Sequence, residues 1–268
     1  MTVRFGVVVR PQLPPEAQCD AVLQAEQAGV DDVWLWEDCF LTGGPTAATA
    51  ALAATERVRV GLGLMPVPLR NPALAAMEIA TIARLFPGRF VPALGHGVQE
   101  WMTQVGARVD SPLALLREHA TAIRSLLHGE RLDVDGRYVR LDGVRLDWPP
   151  HRSPPLLLGA RGPRTLRLAG EVADGVVLDD PGSGPGALTP DRVAAAVAVT
   201  RSGREAAARA AEPFEVVAYV APRAGLAVEA AALVAAGVTT VVLQPPSEEP
   251  GLAATLEVME EVRAALVS

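Results

Sequence analysis

Apolar residues recur along this chain in two alternating patterns, as short continuous runs and as longer runs with helical spacing. Runs such as VRFGVVV (3–9) are rich in β-branched residues, which predicts buried strands. The longer run SPLALLREHATAIRSLLHG (111–129) repeats apolar side chains every three to four residues, which is typical of an amphipathic helix. The alternation continues along nearly the whole chain and predicts an α/β protein.

Eight strand-like runs can be counted, and each is followed by a helix-like run. The strands are predicted at 3–9, 32–36, 58–64, 89–95, 156–159, 175–180, 214–220 and 239–245. The helices are predicted at 15–29, 45–56, 71–88, 111–129, 162–172, 189–211, 227–237 and over most of 251–267. Eight such units in 268 residues predict one (β/α)8 barrel domain over 1–268. An open doubly wound sheet is the alternative, but no Gly-x-Gly-x-x-Gly follows the first strand.

Three details of this pattern can be compared directly with a structure. Residues 130–155 break the rhythm with short alternating runs and two Asp-Gly turns, which predicts a hairpin insertion after the fourth helix. The helix over 189–211 is expected to break at Gly203. In the helix over 71–88, one apolar face is expected to consist of Leu74, Met77, Ile82 and Leu85.

Composition and charge restrict the possible functions. The net charge of -7 argues against a nucleic-acid or anionic-membrane partner, because both require a basic face. The apolar runs are too short for a membrane span, so we expect a cytoplasmic protein. Cys19 and Cys39 form neither a disulfide framework nor a zinc pair, and no metal site is expected. The chain contains no lysine, which excludes Schiff-base enzymes.

In a (β/α)8 barrel the chemistry lies at the carboxyl ends of the strands. After the fifth strand the chain reads Gly159-Ala160-Arg161-Gly162-Pro163-Arg164 and enters a helix. Free amides and the positive end of the helix dipole favour an anion there, and the two arginines add charge. This pattern is typical of a phosphate or carboxylate site. The alternative is a tight turn with two exposed arginines.

Two further strand ends carry candidate chemistry. Gly95-His96-Gly97 lets the backbone approach a neighbour closely, and an imidazole at this position suits proton transfer near neutral pH. Glu100 lies just beyond it. A lone histidine between glycines is also a common loop residue.

The second strand ends in Glu37-Asp38-Cys39. Both acids raise the pKa of the thiol, so a nucleophilic Cys39 is disfavoured. We expect one acid to face the barrel mouth and the other to tie down a loop.

Three segments together resemble the bacterial luciferase-like monooxygenase family, over residues 3 to about 265. They are LGLMPVPLRNP (62–72), ALGHGVQEWMTQVG (93–106) and LLLGARGPRTLRLAGEVADGVVL (156–178). The family contains flavin-dependent monooxygenases and also reductases or dehydrogenases that use the deazaflavin coenzyme F420. The resemblance implies an oxidoreductase that acts on a small organic substrate with coenzyme F420, which is slightly preferred, or with FMN. It also implies a homodimer, although nothing in the pattern marks an interface.

The resemblance implies roles for the matched positions. A bulge with a non-prolyl cis peptide should lie near Gly63-Leu64, behind the cofactor ring, with Cys39, Gly95, His96 and Gly97 close to the ring system. The segment from Gly159 to Arg164 should hold the cofactor phosphate, mainly through the backbone amides of Ala160, Arg161 and Gly162. Asp38, His96 and Glu100 are the expected catalytic residues.

The chain departs from the family at Cys39, where many relatives carry a histidine that handles protons. This departure keeps a non-catalytic interpretation open, and two further alternatives stand beside the F420-dependent reductase or dehydrogenase. An FMN-dependent monooxygenase would use molecular oxygen, which deazaflavins activate poorly. A non-catalytic flavin-binding or partner subunit would need no proton donor. A barrel that binds a sugar phosphate without flavin would use the same helix end.

Overall fold

Eight parallel strands close into a barrel in this protein, as the sequence predicts. A computed structural model describes residues 3–179 and 188–267. The barrel strands are β1 (Arg4–Val8), β2 (Asp32–Leu35), β3 (Arg59–Pro66), β4 (Phe90–Gly95), β7 (Leu157–Gly159), β8 (Gly175–Asp179), β9 (Glu215–Val220) and β10 (Thr240–Leu243). Their order around the barrel is β1-β10-β9-β8-β7-β4-β3-β2. Each barrel strand therefore pairs with the barrel strands before and after it in the chain, and β10 pairs with β1 to close the barrel. This excludes the open doubly wound sheet.

Helices cover the outside of the barrel. They are α1 (Pro15–Gln27), α2 (Gly44–Ala54), α3 (Pro72–Leu85), α4 (Gln99–Gln104), α5 (Pro112–Leu127), α6 (Pro163–Val172), α7 (Pro190–Ala206), α8 (Leu226–Ala235) and α9 (Ala253–Val267). The short helix α4 and the 3-10 turn Val67–Leu69 lie in segments that the apolar pattern did not assign. Both are too short to show a periodic pattern. Asp180 and the loop expected at 181–186 lie outside the described residues.

The expected hairpin insertion is present. Strands β5 (Leu132–Asp135) and β6 (Arg140–Val144) pair antiparallel as a separate two-stranded sheet. The helix before them, α5, is the fourth long helix of the chain, and its apolar face is buried as its spacing predicts: Leu116, Ala120, Ile123 and Leu127 are at most 2% exposed. The hairpin leaves the eight-stranded order of the barrel unchanged.

The expected apolar face of α3 is wrong. Ile82 is buried, but Leu74, Met77 and Leu85 are exposed. The buried face of this helix consists largely of alanines and Ile79. Small side chains let the helix lie close to the barrel, and residue size alone does not show which face points inward.

The expected break at Gly203 is also wrong, because α7 continues through this residue to Ala206. Gly203 lies where α7 crosses α6, and a Cβ atom there would overlap the carbonyl oxygen of Arg167. Gly170 on α6 is equally tight, since its Cβ would overlap the carbonyl oxygen of Thr200. The two glycines allow a close helix crossing, and this packing outweighs the weak helix propensity of glycine.

We expect Gly170→Val to destabilise the protein, because backbone atoms of the facing helix occupy the space of the new side chain. Overpacking of this kind costs about 2 kcal/mol. Thermal unfolding followed by circular dichroism measures the loss. Gly251→Val is the matched control, since nothing lies within 4 Å of a Cβ at that position. If both variants unfold at the same temperature, the packing assigned to Gly170 is wrong.

Candidate functional site

The carboxyl ends of the eight parallel strands meet at one face of the barrel, called the mouth here. Strand ends and the loops after them bring to this face the residues Arg10, Asp38, Leu64, His96, Arg161, Asp179 and Tyr219. The opposite face contains an ion-pair network in which the buried Asp32 binds both Arg4 and Arg59. That network holds charges that are already paired, whereas the mouth contains several groups without a close partner.

Strand β3 ends in the expected bulge. The pairing register with β4 shifts between Gly63 and Met65, and the Gly63–Leu64 peptide is cis. A Cβ atom on Gly63 would lie 2.6 Å from the hydroxyl oxygen of Tyr219. That hydroxyl faces the carbonyl oxygen of Gly63 at 3.5 Å. Only glycine fits between the bulge and the aromatic ring of β9.

The side chain of Leu64 lies against two other strand ends. A Cβ on Gly95 would be 2.5 Å from Leu64 Cδ1, and a Cβ on Gly159 would overlap the same methyl group. Gly97 has a φ of +70° and lies against Met102. The expectation of a close backbone approach at Gly95 and Gly97 is therefore confirmed, and the neighbours that approach are side chains of the protein itself.

Helix α6 begins at the mouth without a side-chain cap. Its N-cap residue Gly162 has extended backbone, and no atom lies within 4 Å of a Cβ built on it. The amides of Gly162 and Arg164 have no acceptor among the described residues. The amide of Ala160 differs, because it donates to the carbonyl oxygen of Val177 at 3.1 Å. An anion would therefore find free donors at Gly162 and Arg164 but not at Ala160.

The two arginines of this segment are not equivalent. Arg161 donates Nε to both carboxylate oxygens of Asp179, at 2.8 and 2.9 Å, and this bonding raises the pKa of Arg161. Its charge is therefore shared with an acid that the sequence pattern did not connect to it. Arg164 is exposed and forms no ion pair within the described part of the chain. The positive charge expected from both residues is fully available only at Arg164.

His96 lies beside the first turn of α6. Its Nε2 atom is 3.1 Å from Thr165 Oγ1, and burial lowers the pKa of the imidazole. The ring is therefore neutral near pH 7. Thr165 was not singled out by sequence reasoning, although its place three residues after the uncapped Gly162 could have marked it. Glu100 is exposed on α4.

The three consecutive polar residues after β2 have different environments. Glu37 is buried, accepts the amide of Gly44 at 2.9 Å and binds both Nη atoms of Arg70, at 2.5 and 2.7 Å. It therefore ties down the start of α2, as expected for one of the two acids. Asp38 is half-buried at the mouth, and burial raises the pKa of its carboxyl against the opposing effect of Arg10. Burial and both acids raise the pKa of the Cys39 thiol.

Aromatic rings fill the barrel interior below the mouth. Trp36 stacks on Tyr219 with 5.9 Å between ring centroids, and Trp34 meets the same tyrosine edge-on at 5.6 Å. The guanidinium of Arg10 lies 4.6 Å from the centroid of Trp36. Sequence reasoning assigned no part in the site to Tyr219, because in β9 it reads as an ordinary strand residue.

Two absences hold for the described residues. Over 3–179 and 188–267, no group of three or more His, Cys, Asp or Glu side chains is arranged to hold a metal ion. Within the same ranges, no helix combines the length and the apolar character needed to cross a membrane.

Several known proteins are similar to this chain in sequence. The sequence matches the family described as luciferase-like monooxygenase over residues 3–262. A 5,10-methylenetetrahydromethanopterin reductase of Methanolobus tindarius is 29% identical over 215 residues, which are 80% of this chain and 64% of that protein. An F420-dependent glucose-6-phosphate dehydrogenase of Nakamurella multipartita is 32% identical over 193 residues, which are 65% of this chain and 56% of that protein. The chain thus spans less than two thirds of these relatives.

The fold is also found among solved structures. An F420-dependent secondary alcohol dehydrogenase in complex with an F420-acetone adduct superposes with a TM-score of 0.85 at 18% identity, over 99% of both chains. The strand order, the β3 bulge and the uncapped start of α6 agree with a sequence match that covers nearly the whole chain. The chain belongs to the luciferase-like monooxygenase family.

Proposed function

We propose that this protein is an oxidoreductase that binds coenzyme F420 and transfers a hydride to or from a small organic substrate. The observation that carries the proposal is the uncapped start of α6, which offers free amides next to the glycine-lined end of β3. The curated relatives at 29% and 32% identity are a reductase and a dehydrogenase, and the latter is named as F420-dependent. When bound, F420 supplies or accepts the hydride.

In this proposal the cofactor phosphate lies at the start of α6. The amides of Gly162 and Arg164 donate to it, and the charge of Arg164 adds attraction. Pro163 has no amide hydrogen and sets the first helical turn. Ala160 and Gly159 shape the strand end, and Arg161 stays paired with Asp179.

The same proposal places the ring system over the β3 bulge. Gly63 and Leu64 form the surface behind the ring, and Gly95, Gly97 and Cys39 line its edges. Because Gly95 and Gly159 lack side chains, Leu64 packs directly against their backbone, and the strand ends behind the ring lie close together. His96 is held by Thr165 and, as a neutral imidazole, orients the first turn of α6 toward the phosphate.

Asp38 is the proton acceptor that the geometry favours. It is half-buried at the mouth, and burial raises the pKa of its carboxyl against the opposing charge of Arg10, which makes the carboxylate a stronger base. Cys39 is a poor proton acceptor, because its raised pKa keeps the thiol protonated. Glu100 stays a proposed proton donor on the α4 side, and its exposure gives direct exchange with water.

The substrate does not follow from the relatives. The names of the two relatives indicate different substrates, a methanopterin derivative and a sugar phosphate, and this chain spans only part of each. The FMN-dependent monooxygenase differs by its cofactor and its use of oxygen. Titration of the purified protein with F420 and with FMN separates the two functions.

Gly162→Asp should weaken F420 binding about tenfold, or by about 1.4 kcal/mol, because a carboxylate would stand against the phosphate. The dissociation constant is measured from the fluorescence of F420 during titration. Gly251→Asp adds the same charge at an exposed site with free space and should bind like the wild type. Equal affinity of all three proteins would contradict the phosphate site, and binding of neither F420 nor FMN would contradict the proposed function.

Asp38→Asn should lower kcat for substrate oxidation about 100-fold, because the amide accepts no proton. In the wild type the rate should fall as the pH is lowered through the pKa of Asp38, and burial places this fall at a higher pH than for an exposed aspartate. Steady-state rates of F420 reduction as a function of pH test both points, with the best substrate found by screening. Cys39→Ser is the control and should keep most of the activity. A larger loss with Cys39→Ser would overturn the assignment.

A further inference from the structure

Arg10 is a buried cation whose main hydrogen-bonding groups are unused. It lies two residues after β1 and is only 9% exposed. Its Nε atom donates to the carbonyl oxygen of Pro245, which follows β10, at 2.6 Å. The guanidinium lies 4.6 Å from the centroid of Trp36. These two contacts fix the plane and the position of the guanidinium.

The two Nη atoms of Arg10 have no acceptor among the described residues. Neither Nη atom is completely enclosed, so both stay accessible to a small ligand. Asp38 and Glu248 act on Arg10 through their charges, but neither forms an ion pair with it within 4.0 Å. Four N–H groups of a largely buried cation are therefore left for a partner outside the chain.

Half-buried arginines elsewhere in the described residues have their hydrogen-bonding groups engaged. Arg59 binds Asp32 at 2.8 Å, and Arg70 binds Glu37 at 2.5 Å. Arg89 has no carboxylate partner, but its Nη atoms donate to Thr55 and to the carbonyl oxygen of Leu52. Burial without a carboxylate partner opposes the charged form and lowers the pKa of Arg10. The carboxylate of Asp38 acts on Arg10 through its charge but does not pair with it, so the Nη atoms stay available to an anion from outside the chain.

We propose that Arg10 binds a negatively charged group of the substrate, a carboxylate or a phosphate, at the β1–β2 side of the mouth. A guanidinium presents parallel N–H groups that match the two oxygens of either anion. Trp36 holds the fork in one plane, so the bound anion is oriented as well as attracted. The site selects substrates that carry an acid group.

The position of Arg10 explains what this anion would do. Trp36 stacks on Tyr219, and the hydroxyl of Tyr219 lies against Gly63 in the β3 bulge. Two aromatic rings therefore separate the anion from the surface where the proposed function places the cofactor ring. An anchored acid group would leave the rest of a small substrate lying over these rings, with its reacting carbon toward the bulge. This last step rests on the proposed function, whereas the anion site does not.

Calorimetric titration with benzoate, benzamide and inorganic phosphate tests the anion site without any cofactor. The proteins carry Gly162→Asp as background, so that anion binding at the start of α6 is weakened and the contribution of Arg10 is easier to resolve. Arg10→Gln removes the charge, Arg10→Lys keeps the charge but not the fork, and Arg201→Gln removes a charge from an exposed position of α7. Benzamide has the shape of benzoate without its charge.

Arg10→Gln should weaken benzoate or phosphate binding at least tenfold, while Arg201→Gln leaves it unchanged. The anion affinity of Arg10→Lys should lie between those of these two variants. If Arg10→Gln does not fold, the affinity of Arg10→Lys decides the outcome. The anion that shows the loss identifies the substrate's acid group as carboxylate or phosphate. Equal anion affinity in the Arg10 and Arg201 variants, an equal loss for benzamide, or no anion binding at all would overturn the proposal.

A separate titration of wild type and Arg10→Gln with F420 distinguishes this proposal from the proposed function. If F420 does not bind the wild type but anion binding depends on Arg10, the proposed function fails and the anion site stands. If F420 binds and the Arg10 variants take up anions like the control, the anion site fails and the proposed function stands.

Discussion

The contact between Leu64 and the glycines of two neighbouring strand ends is the constraint on which the mouth depends. Leu64 lies on the end of β3, and its side chain fills the space that side chains at Gly95 and Gly159 would occupy. This packing ties the ends of β3, β4 and β7 together at the mouth. Gly162 follows Gly159 by three residues, a span of at most about 10 Å. The packed strand ends and a helix start with free amides are therefore held at a short separation, which suits the proposed cofactor with its ring system and its phosphate.

Positive groups lie on two sides of the mouth although the chain is acidic overall. On one side the start of α6 and Arg164 attract an anion, and on the other side Arg10 is held by Pro245 and Trp36. Arg161 does not add to this pattern, since Asp179 compensates its charge. Two separate cationic regions with an aromatic floor between them favour two anionic partners that meet over the rings. A cofactor with a phosphate and an acidic substrate satisfy this arrangement together.

Most of the fold could be predicted from the sequence, because the apolar pattern repeats eight times and each repeat has the length of one strand and one helix. The features that were wrong depend on partners that are distant in sequence. Gly203 has low helix propensity, but its role is decided by the close contact with the backbone of Arg167 on α6. Leu74 and Met77 are large and apolar, but the alanines of α3 lie against the barrel.

In the site, the bulge at Gly63–Leu64 was predictable from resemblance alone. The bond from Ala160 to Val177 and the pairing of Arg161 with Asp179 required the register of β7 on β8.

The neighbours of Cys39 decide which group after β2 can carry a proton. A proton carrier must change its protonation state near the working pH. Burial and the charges of Glu37 and Asp38 move the pKa of Cys39 away from neutrality, and Glu37 cannot take over because Arg70 and Gly44 occupy its oxygens. Burial moves the pKa of Asp38 toward neutrality instead, and Arg10 limits that shift. An anion bound at Arg10 would reduce this opposing effect and raise the pKa of Asp38 further. Binding of an acidic substrate would then make the Asp38 carboxylate a stronger base, so proton transfer at this strand end would not require an imidazole.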